Sequence, residues 1–160
     1  MKKVFFLLLF CLFEGLLSHA QTLYGLDPSF ATNGIYVGDT GGYTRVVVQP
    51  DKKIIVTGSE VINTIYVYVA QRFNEDGSTD LSFANNGLFR TDILNLGNIK
   101  VLFVCLQPDG KILLGGGADT GVTGEDFLLI RLKQDGSLDS SFGGGGYVMT
   151  AYIRPLPWGN

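Results

Sequence analysis

Short runs of β-branched and apolar residues, each stopped by a turn-forming cluster, recur from residue 44 to residue 152, and none shows helical periodicity with caps. Residues 44–49 and 99–107 are two such runs. Both end in Gln-Pro-Asp, where proline presets φ and the aspartate side chain bonds the backbone two residues on. Residues 52–59 and 111–117 follow as second strands, so each pair predicts a hairpin, with Gly110 supplying a positive φ in the second turn. Third strands are expected over 65–73 and 126–133, running into Asp76-Gly77 and Asp135-Gly136. Fourth strands are expected over 35–38, 88–91 and 147–152.

The blocks between these strands repeat. LDPSFATNG (26–34) returns as TDLSFANNG (79–87) and LDSSFGGGG (138–146). QPDKKIIVTG (49–58) returns as QPDGKILLGG (107–116), and RFNEDGSTD (72–80) as RLKQDGSLD (131–139). Three blocks recurring in one order at nearly one spacing define tandem units that begin at residues 26, 79 and 138, the last of them partial. The recurring positions are Asp27, Asp80 and Asp139; Phe30, Phe83 and Phe142; Gly34, Gly87 and Gly146; Arg72 and Arg131; and the turn pairs Asp76-Gly77, Asp135-Gly136 and Asp109-Gly110.

Residues 101–106 and 127–130 are continuously apolar, as expected of strands covered on both faces. In four-stranded antiparallel units strung along a chain, neighbouring units supply that cover. The expected fold class is therefore all-β, built of β-propeller blades, with two units and the start of a third. A β-solenoid is the alternative, although its coils are usually shorter. Propellers close with roughly 4 to 8 blades, so the chain is expected to be a piece of a longer propeller or to self-associate through open blade edges. Residues 154–160, RPLPWGN, carry two prolines and read as an irregular tail.

These blocks resemble the delta-60 repeat family of exported bacterial proteins, with motifs close to LDxSFGxxG, QPDGKI and RxxxDGSLD. The resemblance spans residue 26 to about residue 150 and implies one propeller-type blade per repeat, with no particular activity. The sequence departs from the pattern at Lys52, which replaces the turn glycine, and at Thr79 and Leu81 in the second LDxSF block.

Lys2 and Lys3 precede an apolar run over 4–17, and Ser18-His19-Ala20 matches what a signal peptidase reads. Residues 1–20 are thus expected to be a cleaved leader and residues 21–153 the repeats, in a protein secreted or held in the cell envelope without a membrane span. Removing Lys2, Lys3 and Glu14 from 12 basic and 15 acidic residues leaves 10 against 14, which argues against a nucleic-acid partner. The same cut removes His19 and Cys11. The remaining chain has Cys105 and no histidine, excluding an intrachain disulfide, a histidine-based triad and a His or multi-Cys zinc site.

The remaining motifs read as scaffold. Residues 143–146 open no helix and carry no Lys-Ser/Thr pair, so a tight turn with positive φ at Gly34, Gly87 and Gly146 is expected instead of a phosphate loop. Residues 74–80 and 133–139 lack the ligand spacing of a calcium loop, and Lys133 opposes a cation, so their aspartates are expected to bond the backbone. Arg72 and Arg131 sit in apolar strands in phase with the repeated aspartates. An ion pair inside each blade is expected, with Phe30, Phe83 and Phe142 as loop anchors. The non-repeated carboxylates Asp39, Glu60, Asp92, Asp119 and Glu125 are not grouped by the sequence. No catalytic, cofactor or metal residues are assigned.

The expectation is an exported repeat scaffold or binding module whose partner is a protein or glycan at the cell surface. Tyr36, Tyr43, Tyr66 and Tyr68 offer aromatic surface for sugars, leaving a carbohydrate-binding surface protein, or part of a surface hydrolase, as alternatives.

Overall fold

The computed structural model describes residues 25–38, 42–91, 98–119 and 125–150, and of Asn98 and Glu125 the backbone alone. The leader read at 1–20 and the tail at 154–160 lie outside these residues. The chain divides into two units, Met1–Tyr36 and Val37–Asn160.

In the first unit the repeated LDPSF block closes a turn. Phe30 N–H donates to Asp27 O at 3.1 Å and Gly34 N–H to Phe30 O at 2.8 Å. The strand expected over 35–38 does not form, and Ile35 makes only isolated bridges to Ala31 and Thr32. A fourth strand needs the third strand of its own repeat beside it, and the described residues of this unit contain none.

The second unit is two four-stranded antiparallel sheets. The first has the order β1 (Gly42–Val48), β2 (Ile54–Ile62), β3 (Ile65–Phe73), β4 (Leu88–Arg90); the second has β5 (Asn98–Leu106), β6 (Ile112–Asp119), β7 (Glu125–Leu132), β8 (Tyr147–Thr150). Each sheet is one blade, blade 1 (β1–β4) and blade 2 (β5–β8). The sequence period and the sheets are out of phase: the third sequence unit, from residue 138, leads into the last strand of blade 2.

Local chemistry accounts for the turns. Gln107 N–H donates to Lys111 O and Gly110 N–H to Gln107 O, both at 2.8 Å, and the Gln49 turn repeats this pattern. The residue closing it has a positive φ in both copies, 78° at Gly110 but 66° at Lys52, where a side chain makes the left-handed region unfavourable.

The core lies where the two blades face each other. In β2 and β3, Ile55 pairs with Arg72, Thr57 with Ala70 and Ser59 with Tyr68, which sets these residues on one face. Ile55, Tyr68 and Ala70 are fully buried on that face. They cluster with Ile99, Val101, Ile112, Leu114, Leu128, Ile130 and Leu132 from a single face of blade 2. Burying one such large side chain contributes about 1.5–3 kcal/mol, against roughly 0–1 kcal/mol for a surface ion pair, so sheet-on-sheet packing dominates the junction. Gly116 makes room for it: a Cβ there would sit 1.8 Å from Lys100 O and 2.4 Å from Tyr68 Oη. Its neighbour Gly115 faces the Phe103 ring instead of another backbone, and nothing lies closer than 3.7 Å to a Cβ at Gly117.

Candidate functional site

The β3–β4 and β7–β8 connections begin with the same turn. Asp76 Oδ1 accepts from Ser78 N–H at 2.9 Å and from Ser78 Oγ at 2.6 Å, and Asp135 accepts from Ser137 at the same distances. Asp27 does likewise with Ser29. Side-chain and backbone hydrogen bonds from that serine hold each of the three carboxyls below its ordinary range.

The next aspartate in each repeat is the hub of a larger cluster. Asp80 Oδ2 accepts from Arg72 Nε at 2.7 Å and from Lys53 Nζ at 2.8 Å, while Ser82 Oγ donates to Oδ1 at 2.6 Å. Burial alone would push Asp80 up, but the bonds from Lys53 and Ser82 and the Arg72 charge outweigh it and hold the carboxyl far below the usual carboxylate range. Asp139 repeats the cluster with Arg131 Nε at 2.8 Å, Lys111 Nζ at 3.3 Å and Ser141 Oγ at 2.6 Å. Its carboxyl is lowered as strongly, first by the Ser141 hydroxyl and further by Lys111 and Arg131. The guanidinium of Arg72 lies 4.7 Å from the centre of the Phe83 ring, and that of Arg131 lies 4.4 Å from Phe142.

The clusters differ in one respect. Arg72 Nη1 crosses the junction and donates to Gln134 O of blade 2 at 2.7 Å. Beside it Ala84 N–H donates to Asp135 O at 2.7 Å, and Phe83, fully buried, fills the space a Cβ on Gly136 would need, 2.6 Å from its ring. Among the described residues nothing accepts from Arg131 Nη1, and Phe142 is half-buried.

A cleft of about 600 Å³ opens at this end of the junction, lined by Gln49, Pro50, Asp51, Lys53, Arg72, Pro108, Asp109, Gly110, Gln134 and Asp135. Lys53 and Arg72 are committed to Asp80, so its walls offer mainly acceptors. Gln134 Nε2 donates to Asp109 O at 2.9 Å and bridges the two blade-2 turns. Lys53, Lys111 and the two serines were not singled out in the sequence reading, although Lys53 and Lys111 recur one residue after the QPDx turn and Ser82 and Ser141 recur in the LDxSF block.

Of the non-repeated carboxylates, Asp119 and Glu125 are register partners across β6 and β7. Glu60 is taken by Arg90 Nε at 2.7 Å, Asp126 is buried and Asp119 half-buried in blade 2, and Asp39, Asp92 and the Glu125 side chain lie outside the described residues. Among the described residues, no group of three or more His, Cys, Asp and Glu is placed to hold a metal ion. The tyrosines of the second unit are placed differently from one another, and Tyr36 belongs to the first unit. Tyr68 is buried and donates to Lys100 O, and Tyr43 donates to Gln71 Oε1, while Tyr66 is exposed.

Residues 49–83 and 107–142 match a family model described as domain of unknown function (DUF5122) beta-propeller. The two matches fall on corresponding parts of the two blades, so the chain is built of β-propeller-type repeats. No curated protein and no solved structure matches it.

Proposed function

We propose that the protein is an exported, non-catalytic repeat scaffold whose blades present a binding surface outside the cell. The observation that supports this best is the saturation of the repeated charges. Asp80 and Asp139 are each surrounded by an arginine, a lysine and a serine and held deprotonated, which suits a strut and disqualifies a proton donor. A carboxylate pair with separated pKa values, as glycoside hydrolysis needs, is not formed by these positions.

Export is tested by expressing the whole chain in a bacterial host and sequencing the N-terminus of the product. A chain recovered outside the cytoplasm and beginning at Gln21 is expected; an uncleaved cytoplasmic chain would overturn that part of the reading. Catalysis is tested with chromogenic glycosides: no turnover is expected, and turnover lost on Asp119→Asn would refute the scaffold reading.

Recognition of a sugar is a second reading, favoured by the cleft. Sugar hydroxyls are hydrogen-bond donors, and Asp51, Asp109 and Asp135 are acceptors grouped around about 600 Å³. Binding on a glycan array that disappears with Asp135→Asn would support it, and an array without signal would remove it.

A further inference from the structure

We infer that the cleft between the two blades is a site for an amino sugar, a pyranose ring that carries a primary ammonium group among its hydroxyls. The inference rests on the sugar reading of this cleft and goes beyond it by naming the charge of the ligand.

Charge selects the ligand first. Asp51, Asp109 and Asp135 line the cleft against Lys53 and Arg72, and both of these bases already bond Asp80 Oδ2, at 2.8 and 2.7 Å. The walls are therefore negative, which opposes a uronic acid or any other anionic glycan and favours a cation. All three aspartates are exposed. Asp51 and Asp135 spend only Oδ1 on their own turns, accepting from Lys53 N–H at 3.3 Å and from Ser137, so Oδ2 of each is left for a ligand. The carboxylates do not converge on one point, since among the described residues no three His, Cys, Asp or Glu side chains are placed to hold a metal ion. Negative charge spread around about 600 Å³ suits donors distributed over a molecule.

Two further features point to a sugar ring with a compact cationic group. Pro50 from blade 1 and Pro108 from blade 2 give the walls apolar surface, the complement of the C–H face of a pyranose. Gln49 lines the same cleft and is 9 % exposed, and its side-chain oxygen Oε1 is buried without a hydrogen-bond partner among the described residues. An unpaired buried acceptor is destabilising, and a small donor such as an ammonium or a hydroxyl relieves it. An N-acetyl group brings more bulk and no charge. Gln107 carries the same unpaired Oε1 at the matching place in blade 2 but does not line the cleft, so it serves as an internal control.

Isothermal titration of the purified chain with a glucosamine trisaccharide, its N-acetylated form, a galacturonic acid trisaccharide and spermidine tests this. The glucosamine trisaccharide is expected to bind about tenfold tighter than each of the others. Its preference over the N-acetylated form is expected to shrink in about 1 M salt, where exposed charges are screened. Asp51→Asn and Asp135→Asn should each reduce that preference by about threefold, with the β-sheet circular dichroism of the parent retained. Gln49→Met should weaken binding of the glucosamine trisaccharide by about tenfold, while Gln107→Met leaves it unchanged. If the N-acetylated or the galacturonic acid form binds as tightly as the amino form, the inference is overturned and the sugar reading stands. Spermidine binding as tightly, a preference that both asparagine variants leave intact, or equal behaviour of the two methionine variants also overturns it. A chain that binds none of the three saccharides and gives no signal on the glycan array removes both.

Discussion

Arg72→Ala tests the account of the junction most directly. The side chain is 8 % exposed and makes three hydrogen bonds, to Asp80 Oδ2 at 2.7 Å, Gln134 O at 2.7 Å and Ser82 Oγ at 3.2 Å, besides lying over Phe83. Removing one partner of a buried ion pair costs about 3–5 kcal/mol because the remaining charge is left without compensation. Lys53 still reaches Asp80, which places the expected loss toward the lower end, near 3 kcal/mol. That is a large share of the roughly 5–15 kcal/mol that holds a typical domain folded. Urea unfolding followed by circular dichroism measures it. Because the Gln134 contact ties blade 1 to blade 2, the variant should also broaden the transition as the blades uncouple. Arg131→Ala removes the same contacts within its own blade but none across a junction, and its side chain is more exposed, at 18 %, so its loss should be clearly smaller. Equal losses for the two variants, or a loss below about 1 kcal/mol for Arg72→Ala, would refute the reading that Arg72 is a junction strut while Arg131 is bonded within its own blade.

Other outcomes follow from the same contacts. Asp80 and Asp139 have folded pKa values below their unfolded ones, so the stability they add is fully present above about pH 5 and is lost as pH falls through about 3.9 toward the folded values. A urea midpoint that is flat from pH 7 to pH 5, falls below it, and falls less steeply in Asp80→Asn is expected; a midpoint unchanged at pH 3 would contradict this. Lys52→Gly relieves a left-handed φ of 66° at the cost of an exposed ion pair with Glu75, and should raise the melting temperature by roughly 2–4 °C. Calorimetry showing a lower melting temperature would mean that the ion pair outweighs the backbone. Thr57→Val replaces a fully buried hydroxyl without a hydrogen-bond partner and should stabilise the junction by about 1 kcal/mol in urea titration, whereas destabilisation would indicate a bridging water.

Arg72 is also the clearest example of what neighbouring residues encode and what they do not. Its recurrence eight residues before Asp80, matched by Arg131 and Asp139, announces an ion pair, because the Asp-Gly turn folds the chain back along the strand end, where Asp80 N–H donates to Arg72 O and Asp139 N–H to Arg131 O. Turns behave the same way: Pro50 and Pro108, Asp76 and Asp135, and Gly110 act within a few bonds of themselves. Eight strands could therefore be placed, most of their ends to within a residue or two and β2 running three residues past its expected end, and the expected propeller-type class stands. The strand expected at 35–38 did not form for a non-local reason: among the described residues no third strand lies beside it to pair with.

The amino-acid sequence by itself thus determined the strands, the turns and the period, since these depend on side chains acting on their own backbone. Only the tertiary structure decided which copy of each repeated residue is covered. Tyr68 and Phe127 occupy the same place in the repeat, yet one lies in the core and the other is mostly exposed, because burial depends on whether a second sheet lies against that face. For the same reason Arg72 spans a junction and Arg131 does not: a guanidinium can be positioned by its own blade, but its last acceptor must come from the next.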